Sequence, residues 1–397
     1  MTTPTHEPLV TINPPRRRSR TPPEPGQETT RFLQRMGAVT VGVSLPRAWM
    51  GDRGLAPGSA VRLRRLGDGS ILVRDGRRDS ASLRVILPVE PRASSEHLFR
   101  RLIGAYVRGA NEFVLRESGG ISAETRQVAR TFARRTAQPE VVSDEGEELV
   151  LRDVSRGAQI SIPQLLHRMF QLVVRMQRDA GAAWEPGASI TADPFELRDD
   201  EVDRHAWTIE RVLALRLLEG PAAEAPDRPS EETVDSLLLA RSLERIADHA
   251  VTIALWGQAL RQEEIPAAIL RALSAYHGQV LDSLVAAFEV AEHPSAARAN
   301  EVIDTGEALR STHSTLTERF LARSSSSQLS PRSISSLGLL LQSLERTAAY
   351  TTDIAEIGLD RAIASDSVSL GLLEVPFPAP EAGAVGPRES TPARIPS

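Results

Sequence analysis

From about residue 160 to residue 364, apolar side chains recur at three- and four-residue intervals, the pattern of helices that each bury one face. The spacing predicts six helices, over 163–183, 194–218, 231–260, 266–291, 295–322 and 331–364. The breaks between them, at 184–191, 219–229, 262–265, 292–294 and 324–331, are rich in Pro, Gly or polar residues. In the first helix Leu165, Leu166, Met169, Phe170, Leu172, Val173 and Met176 share a face. In the second the stripe is Val202, Ala206, Ile209 and Leu213, and in the third Leu239, Leu243, Ile246, Ala250 and Ile253.

Ahead of residue 160 the period changes. Val39, Val41 and Val43 alternate with small or polar residues, the signature of a half-buried strand, and 31–35 is a short extended run. Pro46 suits the first turn of a short helical segment over 47–53, and Gly54-Leu-Ala-Pro-Gly58 is a turn. Strands over 61–66 and 70–74 meet through Gly67-Asp-Gly69, a hairpin signal. Four short strands make a core too small for a comfortable monomer, so residues 29–78 are expected to dimerise. Residues 92–155 read as a small α/β connector, with helices over 95–109 and 123–136 and short strands over 112–115, 141–142 and 149–151. The arms 1–28 and 365–397 are rich in Pro, Ser, Thr or Ala and are expected to be disordered.

The helical region is internally repeated. Ser242-Leu-Glu-Arg-Ile-Ala-Asp-His-Ala-Val-Thr-Ile-Ala254 returns 101 residues later as Ser343-Leu-Glu-Arg-Thr-Ala-Ala-Tyr-Thr-Thr-Asp-Ile-Ala355, with seven of thirteen positions identical. A repeat of that length implies a duplicated small domain, and three helices per copy divide the region into bundles over 160–262 and 263–364. The predicted architecture is mainly α: tandem three-helix bundles behind a small β-rich domain and an α/β connector.

Within the first copy Glu244 and Asp248 lie one turn apart and flank the core stripe. Asp199 and Asp203 flank the stripe of the preceding helix at the same spacing. If these edges face one another four carboxylates converge, and such a cluster repels itself unless a hard or transition metal sits there. The alternative is a solvated face neutralised by Arg241 and Arg245. The second copy keeps Glu345 but has Ala349 and Tyr350 in place of the acid and the histidine. Its middle helix has Thr305 four residues after Glu301, with Asp304 adjacent. One competent site in the first bundle and a weak or absent one in the second are therefore expected.

Charge sharpens the division of labour. Residues 16–78 carry 14 arginines against five acidic residues, +9, while the chain as a whole is −5, which leaves −14 for the rest. A basic front on an acidic body suggests that one end meets a polyanion. All 47 basic residues are arginine, consistent with a GC-rich coding sequence. The absence of cysteine excludes disulfides and thiolate chemistry. Neither a membrane span nor a secretory signal is legible, and a cytoplasmic location is expected.

Two family resemblances follow from these residues. Gln34-Arg-Met-Gly37, Val39-Thr-Val-Gly-Val-Ser-Leu-Pro-Arg-Ala-Trp49, Gly54-Leu-Ala-Pro-Gly-Ser59 and the Asp-Gly hairpin resemble, in order and spacing, an AbrB/SpoVT-type swapped-hairpin domain. That resemblance implies an intertwined homodimer binding DNA, with Arg31, Arg35, Arg47 and Arg53 in the contacting positions. Ala38 departs from the pattern, because many members place an arginine there. The duplicated bundles, and above all Leu243-Glu-Arg-Ile-Ala-Asp-His-Ala250, resemble PhoU, the phosphate-uptake regulators. PhoU proteins are tandem three-helix bundles that bind metal clusters, which implies Asp199, Asp203, Glu244 and Asp248 as ligands of a divalent or ferric ion (Mn, Fe, Zn or Mg). It also implies a phosphate ABC transporter ATPase or a sensor kinase as partner.

Together these imply a dimeric DNA-binding regulator of phosphate uptake, not an enzyme. A di-metal carboxylate oxidase would use Glu-x-x-His pairs, and no Glu here has a His three residues on. An antitoxin-like repressor would need no duplicated bundle. That AbrB-type repressor and a PhoU-like adaptor whose N-terminal domain only dimerises are the alternatives.

Overall fold

The computed structural model describes residues 30–36, 40–65, 70–76, 83–90, 94–136, 139–154, 160–190, 193–219, 229–324 and 329–369. The arm 1–28, the Gly67-Asp-Gly69 turn and residues 370–397 lie outside them. The chain divides into two compact units, Met1–Ala81 and Ser82–Ser397.

In the first unit β1 (Gln34–Arg35) pairs antiparallel with β2 (Val41–Gly42), and α1 (Arg47–Asp52) follows Pro46. Gly54 and Gly58 take positive φ in the expected turn. The antiparallel pair β3 (Val61–Arg65) and β4 (Ile71–Asp75) completes the unit, with Leu63 opposite Val73. Of the extended run 31–35 only Gln34–Arg35 is strand, and among the described residues of the alternating stretch only Val41–Gly42 is. Among the described residues of this unit none is buried: Phe32, Leu33, Met36, Leu63 and Ile71 are all more than half exposed.

The second unit opens with a four-stranded sheet in the order β5-β6-β8-β7, from β5 (Arg84–Val89), β6 (Glu112–Glu117), β7 (Pro139–Glu145) and β8 (Glu148–Asp153). β5 runs parallel to β6, and the crossover between them is α2 (Ser95–Val107). The sequence reading starts this region at residue 92 and omits β5. Pro88 argues against a strand, yet β5 lies at the sheet edge, where a missing N–H is tolerated. Alternating Leu87, Phe113, Leu115, Leu149 and Leu151 bury one sheet face under α2 and α3 (Ala123–Arg135), with Phe132 edge-on to both Tyr106 and Phe113.

Six long helices follow: α4 (Ile162–Gly181), α5 (Asp193–Glu219), α6 (Pro229–Leu260), α7 (Ala267–Glu292), α8 (Ala296–Ser324) and α9 (Pro331–Ser369). Ser161 caps α4 by accepting from the Gln164 N–H, with Pro163 in the first turn. α9 continues five residues past its expected end at 364. The predicted stripes are the buried faces: Val202, Ala206, Ile209 and Leu213 on α5, and Leu239, Leu243, Ile246, Ala250 and Ile253 on α6. One hydrophobic core runs through both bundles.

The two copies of the repeat meet along α6 and α9. His249 stacks on Tyr350, its own counterpart in the repeat, with ring centroids 6.0 Å apart. Gln177 of α4 donates to the Ile246 carbonyl at 2.8 Å and reaches Thr347 Oγ1 at 3.4 Å, tying both repeat helices to one side chain. Gly257 and Gly358, again 101 residues apart, each let a neighbour approach. A Cβ on the first would stand 2.8 Å from that of Ala183, and on the second 2.5 Å from Val290 Cγ1. No helix among the described residues is long and apolar enough to cross a membrane.

Candidate functional site

Packing of α5 against α6 brings the two predicted edges together. Asp199 and Asp203 project from α5, Glu244 and Asp248 from α6, beside stripes that are wholly buried. All four carboxyls are half-buried, and all four hold their protons above the usual carboxylate range. Burial is the largest cause for each. Asp199 is pushed up to about 7, with Asp203, Asp248, Asp200 and Glu244 adding like-charge repulsion. Asp203 rises to about 6, because burial and its acidic neighbours outweigh Arg135 and Arg241. Arg245 moderates the rise at Glu244 and Asp248.

Three arginines surround the cluster. Arg135, the last residue of α3, bridges Asp200 Oδ1 at 2.5 Å and Asp203 Oδ2 at 2.9 Å. Its guanidinium also lies over the rings of Phe99 and Trp207, 5.4 and 5.3 Å from their centroids. Arg241 pairs with Glu210 at 2.7 Å and stands 3.9 Å from Glu244, while Arg245 is 3.7 Å from Glu244 and 3.4 Å from Asp248. Glu244 Oε2 is buried and accepts no hydrogen bond. Among the described residues no three acidic or histidine side chains are grouped so as to hold a metal ion. The donors are nonetheless the hard oxygens such an ion takes, and an orphaned buried carboxylate oxygen is among them.

Arg241 and Arg245 were legible as neighbours on the same helix. Arg135 was not, since it comes from the connector, 64 residues before Asp199. Asp200 was missed although it adjoins Asp199 in sequence. His249 faces Tyr350 instead of the carboxylates, and burial with nearby Arg346 and Arg245 lowers it to about 4.

The corresponding place in the second bundle differs. Glu345 lines a cavity of about 10 Å³ with Tyr276, Arg310, Gly306 and Thr352. The Tyr276 hydroxyl is buried there without a hydrogen-bond partner, and burial and Glu345 raise its pKa. That space holds a water at most. In the N-terminal unit Arg31, Arg35, Arg47 and Arg53 are all exposed.

Fold and site define a mainly helical protein with two bundles, the first bearing a crowded acidic cluster. Within it, residues 166–257 match the family model of the PhoU domain, a span that contains Asp199, Asp203, Glu244 and Asp248. Among solved structures the chain is similar to PhoU from Pseudomonas aeruginosa, with 22% identity and a TM-score of 0.43. The similarity covers 50% of this chain and 95% of that one. A search of curated proteins finds no match.

Proposed function

We propose that the protein is a regulator of phosphate uptake. Its first bundle would bind a divalent or ferric cation through Asp199, Asp203, Glu244 and Asp248, and its basic N-terminal unit would bind DNA as a dimer. The observation that carries this reading is the PhoU-domain match over the bundle that gathers these four carboxylates. A bound cation would neutralise the cluster, and Glu244 Oε2, which accepts no hydrogen bond, would gain a direct ligand contact. The acidic helical body is the part suited to docking a phosphate-transporter ATPase or a sensor kinase, following the PhoU likeness.

Calorimetric titration of Mn²⁺ into the full chain tests the cation site. The wild type should bind, and a Glu244→Ala/Asp248→Ala variant should lose most of that affinity. Equal binding by both removes the assignment.

DNA binding is supported by the +9 balance of residues 16–78 and by the exposure of Arg31, Arg35, Arg47 and Arg53. Phosphate contacts of this kind make affinity steeply salt-dependent. Affinity for random duplex should fall by on the order of 100-fold or more between about 50 and about 300 mM salt. Arg35→Ala and Arg47→Ala should weaken binding on every sequence tried. A flat salt response leaves the unit a dimerisation module, and the protein a PhoU-like adaptor.

A further inference from the structure

We propose that Arg135 is a tethered cation that competes with a metal ion for Asp203, so that the ion and the Arg135–Asp203 pair exclude one another. This rests on the cation reading of the first bundle given above, and adds a residue that the bundle itself does not supply.

Arg135 reaches the site from outside the bundle, at the last position of α3 in the connector. Its side chain is three-quarters buried, bonded to Asp203 at 2.9 Å and to Asp200 at 2.5 Å. Phe99 of α2 and Trp207 of α5 cradle it. The two rings are themselves edge-on, 6.2 Å apart, so the cradle joins connector and bundle. The donors of the guanidinium are not all used, since Arg135 Nε is buried without a hydrogen-bond partner. A guanidinium turned towards two carboxylates occupies directions that a metal ion would need. It also adds positive charge where a second cation must arrive.

Asp199 sharpens the point. The charges that act most strongly on it are acidic, whereas Asp203 has Arg135 and Arg241 beside it. Arg135 therefore relieves one side of the cluster and leaves the other in want of a cation. An arriving ion can recruit Asp203 only by displacing Arg135, which then moves against the rings that cradle it. Because competition is reciprocal, occupancy of the bundle would be felt by the connector that carries Arg135.

The test is titration of Mn²⁺ into the full-length wild type, Arg135→Gln and Arg135→Lys. Calorimetry and the near-ultraviolet circular dichroism of the tryptophan bands are the readouts. Arg135→Gln should bind Mn²⁺ at least about tenfold more tightly than the wild type, the added charge being gone. Arg135→Lys keeps the charge but loses the planar group that lies over Phe99 and Trp207, and should fall between them. Mn²⁺ should change the tryptophan dichroism of the wild type, as Arg135 shifts against Trp207, and change that of Arg135→Gln much less. If all three bind with equal affinity the proposal is overturned, while the cation site stands. If none binds, the cation reading fails and the proposal with it. Should Arg135→Gln fail to fold, the Arg135→Lys comparison decides alone, and affinity equal to wild type overturns the proposal.

Discussion

A carboxyl that loses water and gains acidic neighbours keeps its proton into the neutral range, and Asp199 does so in this protein. The sign of the consequence follows from proton counting. With folded values near 7 and 6 against an ordinary 3.8, Asp199 and Asp203 hold more protons folded than unfolded between about pH 4 and pH 7. Stability from these groups therefore falls as pH rises through that window. His205, His249 and His277 act oppositely, since burial lowers each and acid must charge them on unfolding. Asp199→Asn isolates the carboxylate part. Without metal, it should be stabilised relative to wild type at pH 8, and the advantage should shrink towards pH 5, read by thermal unfolding at each pH. A constant difference would show that Asp199 is already charged at no cost. At this scale the sequence was informative where the interaction is local. Stripe spacing puts Glu244 and Asp248 on the edge of the buried face because helical periodicity is fixed by the backbone. Arg135 meets Asp203 only through tertiary packing of α3, which no spacing rule encodes.

Elements were legible in proportion to their length. Six helices of twenty residues or more repeat their apolar pattern enough times to be unmistakable, and their buried stripes are the expected ones. β5 was not legible, because six residues containing Pro88 and no clean alternation resemble a linker until β6 pairs with them. A second side chain that the sequence did not single out, besides Arg135, holds the connector to α5. Arg211 is almost fully buried and donates to the Tyr106 and Ala110 carbonyls at 2.6 Å each and to Asp153 at 3.0 Å, while lying over the Tyr106 ring. Arg211→Ala takes the buried guanidinium away from Asp153 and from both carbonyls. Loss of a buried charged partner costs about 3–5 kcal/mol. Denaturant unfolding of the full chain should register a loss of that order. A change below about 1 kcal/mol would mean that water replaces the guanidinium.

At the scale of the whole molecule the two units have opposite characters. Residues 82–397 enclose a continuous core through both bundles and a second core in the connector. Among its described residues the N-terminal unit buries none, and it leaves Phe32, Leu33, Met36, Leu63 and Ile71 more than half exposed. A second copy of the same unit would supply the missing half of a core. Sedimentation of the full chain at micromolar concentration should therefore show a dimer, and Leu63→Glu with Ile71→Glu should convert it to monomer. A wild-type monomer would instead leave the unit in need of some other cover. The paired strands were readable from turn residues, but their shortness was not, since strand length in so small a unit depends on what covers it.

The stacking of His249 on Tyr350 carries a consequence of a different kind. A duplicated chain usually leaves its two copies free to diverge, yet here a position and its own duplicate touch, so neither can change size without the other adjusting. Histidine on one side and tyrosine on the other is already a departure from identity at the seam. The acidic cluster has diverged as well, with Ala349 set against Asp248 one position earlier in the same repeat. A substitution at either position of the seam is therefore felt by both bundles at once.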